Sequence, residues 1–390
     1  MRVVWNNGDA DASYPDADTD VDAVDFDVVV IGGGVVGLAV AQAFCMRSRA
    51  RVLLLEREDA FAEGATSGSS GLGCTGYDAP PGSLERQLMR RAIRLHLALY
   101  RSFGLSYEHN REAGDGEARF LDREELRLTE PALSREALGA VLCPREAVAE
   151  PWLVPICYAA SAAANGATLR LATEVTGVRF VGGLWRLTIR RSGVSSVGRS
   201  VRGEVLGQGI VFQLPTGTLA PDFIIEPVAS QHTKGIIVWR TLYGNIVVGP
   251  TAEDQSSRSD RSTDMHTVGR LRQCGERVLP ALRGARLLGS YSGLRPATQH
   301  RDYQLSSHPS RQIVTVGGIR STGLTASAAI AEHVVSLCAQ FPSPVVRRLQ
   351  VRVSDEQAGL VRGEPDSTEG RTEGVSHQPR YSCTSMAVRM

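Results

Sequence analysis

The feature that most constrains this chain is a cluster of glycines set between two short apolar segments. Residues 27–31 are β-branched and apolar on both faces, as a parallel strand covered by helices on either side must be. Glycines follow at 32, 33, 34 and 37, and Leu38, Val40, Ala41, Phe44 and Cys45 then recur at helical spacing. Residues 51–55 repeat the strand character and end at Glu56, which predicts a βαβ unit of about 30 residues. Each glycine of Gly32-x-Gly34-x-x-Gly37 has a task that a side chain would obstruct. Gly32 permits the tight turn, Gly34 lets backbone amides approach a pyrophosphate, and Gly37 lets helix and strand pack closely. The helix N-terminus offers unpaired N–H groups to the phosphates. Glu56 stands where a carboxylate accepts hydrogen bonds from both ribose hydroxyls, which favours a dinucleotide with a free 2′-OH.

Composition narrows the partners. The 390 residues carry a formal net charge of +1, so no overall field draws the chain to nucleic acid or an anionic membrane. Only Lys234 among the 43 basic residues is a lysine, and a single arginine therefore says little by itself. Seven cysteines (45, 74, 143, 157, 274, 338 and 383) show neither C-x-x-C nor zinc-type spacing, so no metal site and no structural disulfide is expected. The first 27 residues hold eight aspartates and one arginine, unlike a mitochondrial leader. No apolar stretch approaches the roughly 20 residues that span a bilayer. The expected location is cytoplasmic or mitochondrial, without a clear targeting signal.

The length suggests two domains. Residues 1–26 are expected to be a disordered acidic tail, and residues 341–390, where 363–380 show no periodicity, a second disordered tail. The fold class expected between them is α/β, which the family resemblance carried by the stretches quoted next refines to a Rossmann-like FAD-binding domain interleaved with an antiparallel-sheet α+β substrate domain. The cofactor domain takes residues 27–90, 150–200 and 290–340, and the substrate domain 91–149 and 201–289. The loop at 64–71, GATSGSSG, follows the ribose-binding strand. It suits either a path along the pyrophosphate towards a flavin or a plain surface loop.

Five stretches carry a resemblance to a known family: VVVIGGGVVGLAVA at 28–41, GATSGSSGLGCTGYDAPPGSLE at 64–85, TKGIIVWRTLYGNIVVGPTAED at 233–254, GLRPA at 293–297 and GGIRSTGLTASAAIAEHV at 317–334. The chain resembles the FAD-dependent oxidoreductases of the D-amino acid oxidase superfamily, most of all the branch with glycerol-3-phosphate and L-2-hydroxyglutarate dehydrogenases. The resemblance implies that Gly32, Gly34, Gly37 and Glu56 hold the ADP half of FAD, that Thr66, Ser67 and Ser70 line the pyrophosphate and flavin side, and that Val175 meets the adenine. It further implies that Gly318, Gly323, Leu324 and Thr325 pass the isoalloxazine ring ahead of a helix at 326–337. Strands at 236–239 and 245–249, joined by a turn at 242–244, belong to the implied substrate sheet. Arg295 matches an arginine facing a substrate anion, and a guanidinium grips carboxylate or phosphate with two parallel bonds. Tyr243 is placed either in the pocket or in simple packing.

Two departures bear on activity. Relatives carry a histidine where Cys74 stands, a position suited to taking the proton of a substrate hydroxyl, and a thiol is a weaker base there. Cys74 is thus a candidate catalytic residue or a buried structural thiol. An Asn-Ala-Ala-Gly segment that continues the cofactor sheet in relatives is replaced here by RRSGVSSVGRSVRGEVLGQGIVFQ, and residues 206–212 are the candidate substitute strand. The function implied is an FAD-dependent dehydrogenase oxidising a small anionic secondary alcohol, glycerol 3-phosphate or a 2-hydroxy acid, by hydride transfer to flavin N5. The electrons then pass to an external acceptor: a quinone, another carrier or oxygen. Two alternatives stand beside it: an FAD-dependent amine or amino-acid oxidase, and a non-catalytic flavin-fold remnant.

Overall fold

The computed structural model describes residues 2–5, 24–76, 79–102, 119–143, 146–191, 205–227, 235–257, 259–341 and 385–389. Along the chain, β1 (Arg2–Trp5) and β2 (Val24–Asp25) precede the glycine-bearing unit β3 (Val28–Ile31), α1 (Val35–Arg47) and β4 (Val52–Leu55). Then come β5 (Leu72–Gly73), α2 (Leu84–Ser102), β6 (Arg119–Leu121), α3 (Arg123–Thr129), β7 (Gly139–Cys143) and β8 (Ala147–Val148). A second cofactor-side block holds α4 (Leu153–Ala164), β9 (Thr168–Arg170) and the hairpin β10 (Thr173–Val181) and β11 (Leu184–Arg191). The large sheet takes β12 (Val205–Gln213), β13 (Ile224–Pro227), β14 (Ile237–Arg240), β15 (Ile246–Gly249) and β16 (Glu253–Asp254), and α5 (Met265–Val278) and β17 (Arg286–Arg295) follow. The chain closes with β18 (Gln304–His308), β19 (Ile313–Gly317), α6 (Gly323–Cys338) and β20 (Ser385–Arg389). This is the expected α/β architecture.

The βαβ unit forms as its pattern predicts. β3, β4 and β9 make a parallel sheet in that order, with Val28 beside Val52 and Leu53 beside Thr168. All four residues of the central β4 are buried, which explains its unbroken apolar character. α1 packs on α4 and α6, and α2 packs on α6. Leu38, Phe44, Met89, Tyr158 and Ile330 fill this core. Glu332 of α6 receives Arg47 from α1 and Arg91 from α2, tying three helices at one carboxylate.

The second core lies under the large sheet. Its strand order is β16-β12-β15-β14-β13-β20-β7-β6, with β17 antiparallel to β12 along nine registered pairs. Ile210, Phe212, Val238 and Val248 meet Leu271 of α5 beneath it. α5 starts at Asp264, whose side chain accepts from Thr267 N and from the Gln208 amide, so the helix is anchored to β12.

Several boundaries differ from those expected. Residues 206–212 do not substitute in the cofactor sheet, because β12 pairs with β15, β16 and β17. Among the described residues β3 pairs only with β4. The cofactor boundary at 290 falls inside β17, and α2, placed largely in the substrate domain, packs on the cofactor helices. Neither terminal stretch is tail throughout: β1 and β2 join β11, and β20 sits between β13 and β7. Unpaired strand edges draw further strands, and Val3-Val4-Trp5 had the required β-branched and aromatic character. Phe26 and Phe341 are described beside them, Phe26 buried, and the other residues of both terminal stretches lie outside the described residues.

Candidate functional site

The turn after β3 shows why its glycines are needed. Gly32 has φ +108°, a conformation that L side chains rarely adopt. A Cβ on Gly37 would lie 2.0 Å from the Gly32 carbonyl oxygen, so the helix approaches the turn as closely as backbone allows. Gly33 N donates to Glu56 Oε2 at 2.5 Å and Glu58 N to Oε1 at 2.9 Å, fixing the carboxylate at the end of β4. α1 has no side-chain cap of its own. Thr66 supplies one from across the cleft, its hydroxyl accepting from Val35 N at 3.1 Å.

A cavity of about 900 Å³ runs from this turn to the large sheet. Gly32, Gly34, Gly37, Glu56, Thr66, Ser70, Val175, Gly318, Gly323 and Leu324 all line it. Ser67 does not: its hydroxyl donates to the carbonyls of Glu63 and Gly64, and Ser69 lines the cavity instead. Thr325 is also absent from the lining. It is 1 % exposed, and its hydroxyl accepts from Cys74 N at 3.1 Å and donates to Leu72 O, pinning β5 to the first turn of α6. Tyr243 stands outside, 69 % exposed at its turn, with Glu150 as its neighbour. The glycine periodicity that revealed the cradle carries no information on which hydroxyls of a small-residue loop face inwards.

The cradle suits a dinucleotide. A helix N-terminus whose N-cap residue is a glycine, a turn free of side chains and a carboxylate at the tip of the second strand share one elongated cavity. Its opposite wall is fixed by the start of α6, where the Thr322 hydroxyl bonds to Glu85 Oε1 at 2.6 Å and to the Tyr303 hydroxyl at 2.5 Å. Trp185 Nε1 donates to Arg311 O at 2.6 Å, joining the β10–β11 hairpin to the turn before β19 along the same cavity.

The far end meets the large sheet at a backbone contact that sequence reasoning missed. A Cβ on Gly68 would lie 2.5 Å from Gly293 Cα, so the hydroxyl-rich loop rests directly on β17. Gly207 faces Gly293 across β12 and β17, and both line the cavity. A period of two in the glycines at 207 and 209 was the available signal. Arg295 also lines the cavity, its Nε 3.7 Å from where a Cβ on Gly207 would be. Burial pulls its guanidinium below the ordinary arginine range, with Tyr291 and Cys74 nearby acting in the opposite sense. No carboxylate acts on Arg295 among the described residues. Cys74 is half-buried, and its thiol points to Leu72 O at 3.9 Å. A second arginine, Arg320, which was not anticipated, lines the cavity and donates to the carbonyls of Thr298 and His300.

Known proteins share this fold. The family model described as FAD dependent oxidoreductase matches residues 27–337. A glycerol 3-phosphate dehydrogenase from Caloramator mitchellensis is 23% identical over 365 residues, covering 83% of this chain and 76% of the relative. The FAD-bound structure of L-alpha-glycerophosphate oxidase from Mycoplasma pneumoniae superposes with a TM-score of 0.71 at 23% identity, over 82% of this chain and 97% of its own. A glycine oxidase from Bacillus cereus superposes with a TM-score of 0.68 at 20% identity, over 82% and 99% of the two chains.

Proposed function

The chain belongs to the family of FAD-dependent oxidoreductases, and on that premise we propose that it oxidises the secondary alcohol of a small anion, glycerol 3-phosphate before other candidates. The observation that carries this reading is Arg295: a half-buried cation on which no carboxylate acts among the described residues, at the end of the cofactor cavity remote from the glycine turn. Burying a guanidinium without a counter-ion is costly, and an anionic ligand removes that cost. The names of the Caloramator dehydrogenase and the Mycoplasma oxidase agree with a phosphorylated alcohol.

When bound, FAD supplies the electron acceptor, taking hydride from the substrate carbon. The chain's own residues do the rest. Gly32, Gly34 and Gly37 leave the α1 amides open to the diphosphate, Glu56 takes the ribose, and Thr66 and Ser70 line the passage to the large sheet. Gly207 and Gly293 let Pro250 and the Gly68 loop close on the sheet where it meets the cavity. Arg295 orients the substrate by its anionic group. Tyr291, the other titratable group acting on Arg295, has its phenol pushed well up by burial and keeps its proton, so in this reading Cys74 accepts the hydroxyl proton only as its thiolate.

A second reading is supported by the glycine oxidase likeness: Arg295 would grip an amino-acid carboxylate equally well, and the bond oxidised would be C–N. Anaerobic titration of the purified flavoprotein separates the two. Loss of the yellow flavin absorption on adding glycerol 3-phosphate supports the alcohol, and loss with glycine or sarcosine alone supports the amine. A colourless protein that takes up no FAD would leave only the non-catalytic remnant. Reoxidation by oxygen, compared with a soluble quinone, identifies the acceptor.

A further inference from the structure

Residues 63–70 carry one wall of the cavity, with Glu63, Thr66, Ser69 and Ser70 on its lining. Thr66 is the buried residue of this stretch, and side chains as short as its neighbours' give a loop little to pack with, so its place depends on ties from outside. On the cradle side the tie is the Thr66 hydroxyl on Val35 N. On the side of the large sheet Gly68 rests on Gly293, a contact without direction. The directed tie there comes from Arg261, whose Nη1 donates to Glu63 O at 3.0 Å from 198 residues away in sequence. Glu63 O also accepts from the Ser67 hydroxyl at 3.1 Å, so Arg261 holds the loop at the first residue of the turn that carries Thr66.

Arg261 is itself held. It lies in the connection between β16 and α5, and its carbonyl accepts from the hydroxyl of Ser292, the neighbour of Gly293 on β17. Ser290, two residues earlier and so on the same face of β17, shares a hydrogen bond with the Thr263 hydroxyl at 3.1 Å. Asp264 and Gln208 of β12 exchange two bonds, from Asp264 N to Oε1 at 3.3 Å and from Gln208 Nε2 to Oδ2 at 3.1 Å. Before Arg261, Ser262 N donates back to Asp260 Oδ1 and Gln255 Nε2 donates to Asp260 O, both at 2.9 Å. The connection is thereby bracketed onto β12 and β17, and the guanidinium reaches the loop from a fixed base.

We propose that Arg261 is a positioning residue for the cofactor: by holding Glu63 it keeps the 63–70 loop against the large sheet and slows the release of FAD. No residue of 63–70 belongs to either of the two main cores, so the loop can part from the sheet while both cores stay packed. Release then depends on how often the Arg261 bond opens, and the stability of the fold does not. This inference rests on the reading that FAD lies in this cavity, and it goes beyond that reading by naming what keeps the cofactor there.

The test uses the FAD-loaded protein and needs no substrate. Wild type, Arg261→Met and Arg261→Lys are diluted, and the flavin that passes an ultrafilter is measured over time by its visible absorption. Arg261→Met keeps the apolar stem and removes the donor, and should release FAD about tenfold faster, the size of one hydrogen bond from a charged group. Arg261→Lys keeps a donor and should come back to within about threefold of wild type. The apoproteins should melt within about 2 °C of one another, since Arg261 is half-buried and outside the cores. FAD released from Arg261→Met as slowly as from wild type overturns the role of Arg261 and leaves the cavity reading standing. Release from Arg261→Lys as fast as from Arg261→Met, or an Arg261→Met apoprotein melting more than about 5 °C lower, would make the effect one of general packing and overturns the proposal as well. A wild type that takes up no FAD overturns both readings together.

Discussion

The cofactor cradle and the large sheet both use glycines to bring backbone close along one cavity, by different means. In the cradle the constraint is local: Gly32, Gly33, Gly34 and Gly37 lie within six residues, and a Cβ at 37 would strike the neighbouring turn. In the sheet the close approach is assembled from Gly207 on β12 and Gly293 on β17, with Gly68 closing on Gly293 from more than 200 residues away. A local constraint leaves a periodic mark on the sequence. A constraint spread over three distant segments leaves single glycines that look like any others.

The largest effect that would break this contrast is expected at Gly37. Gly37→Ala places a methyl 2.0 Å from the Gly32 carbonyl, which neither strand nor helix can yield without opening the cradle. The protein should purify without flavin and lose about 3 kcal/mol or more of stability. Absorption spectra and thermal melts check both. Retention of FAD would mean that the close approach of α1 is not what forms the site. Next in size comes Arg295→Met, which should keep its flavin while kcat/KM for the anionic substrate falls 100-fold or more, in line with about 3–5 kcal/mol for losing a buried charge contact. Loss of flavin in that variant would erase the division between cradle and sheet.

The same division governs what could be anticipated from the residues alone. The βαβ unit falls where apolar periodicity and turn residues place it, because it is decided by neighbours in sequence, and strands β14 and β15 and helix α6 fall close to where the family resemblance implies. Ten of the twelve expected cofactor residues line the cavity for the same reason. Ser67 and Tyr243 fail because only the side-chain direction matters there, and Thr325 because its hydroxyl serves the packing of β5 on α6.

Beneath the large sheet a pH effect should separate the two halves further. Glu130 is 1 % exposed and accepts from the amides of Asp222, Phe223 and Ala132. Burial outweighs those three bonds and pushes its carboxyl up to about 7. The folded state thus holds a proton that the unfolded chain, titrating near 4.5, releases earlier. The resulting stabilisation is complete below pH 4.5 and is lost as pH rises through about 7, by up to ~3 kcal/mol. Glu130→Gln, which stays neutral, should match wild type in acid and melt higher than wild type at pH 8. A wild-type melting temperature that rises across this interval, with the variant following it, would contradict the assignment to Glu130.

The smallest contrast is the sharpest test of side-chain direction within one loop. Thr66 and Ser67 are adjacent hydroxyls, yet Thr66 is buried with its oxygen on Val35 N, while the Ser67 hydroxyl bonds back to its own loop. Thr66→Val keeps the shape and removes the acceptor, leaving the first amide of α1 without its cap. That should cost about 1 kcal/mol and weaken FAD several-fold. Ser67→Ala should change stability by less than about 0.5 kcal/mol and leave FAD affinity as it was. Equal losses from the two variants would show that the loop as a whole, and not the Thr66 oxygen, steadies the helix end on which the diphosphate rests.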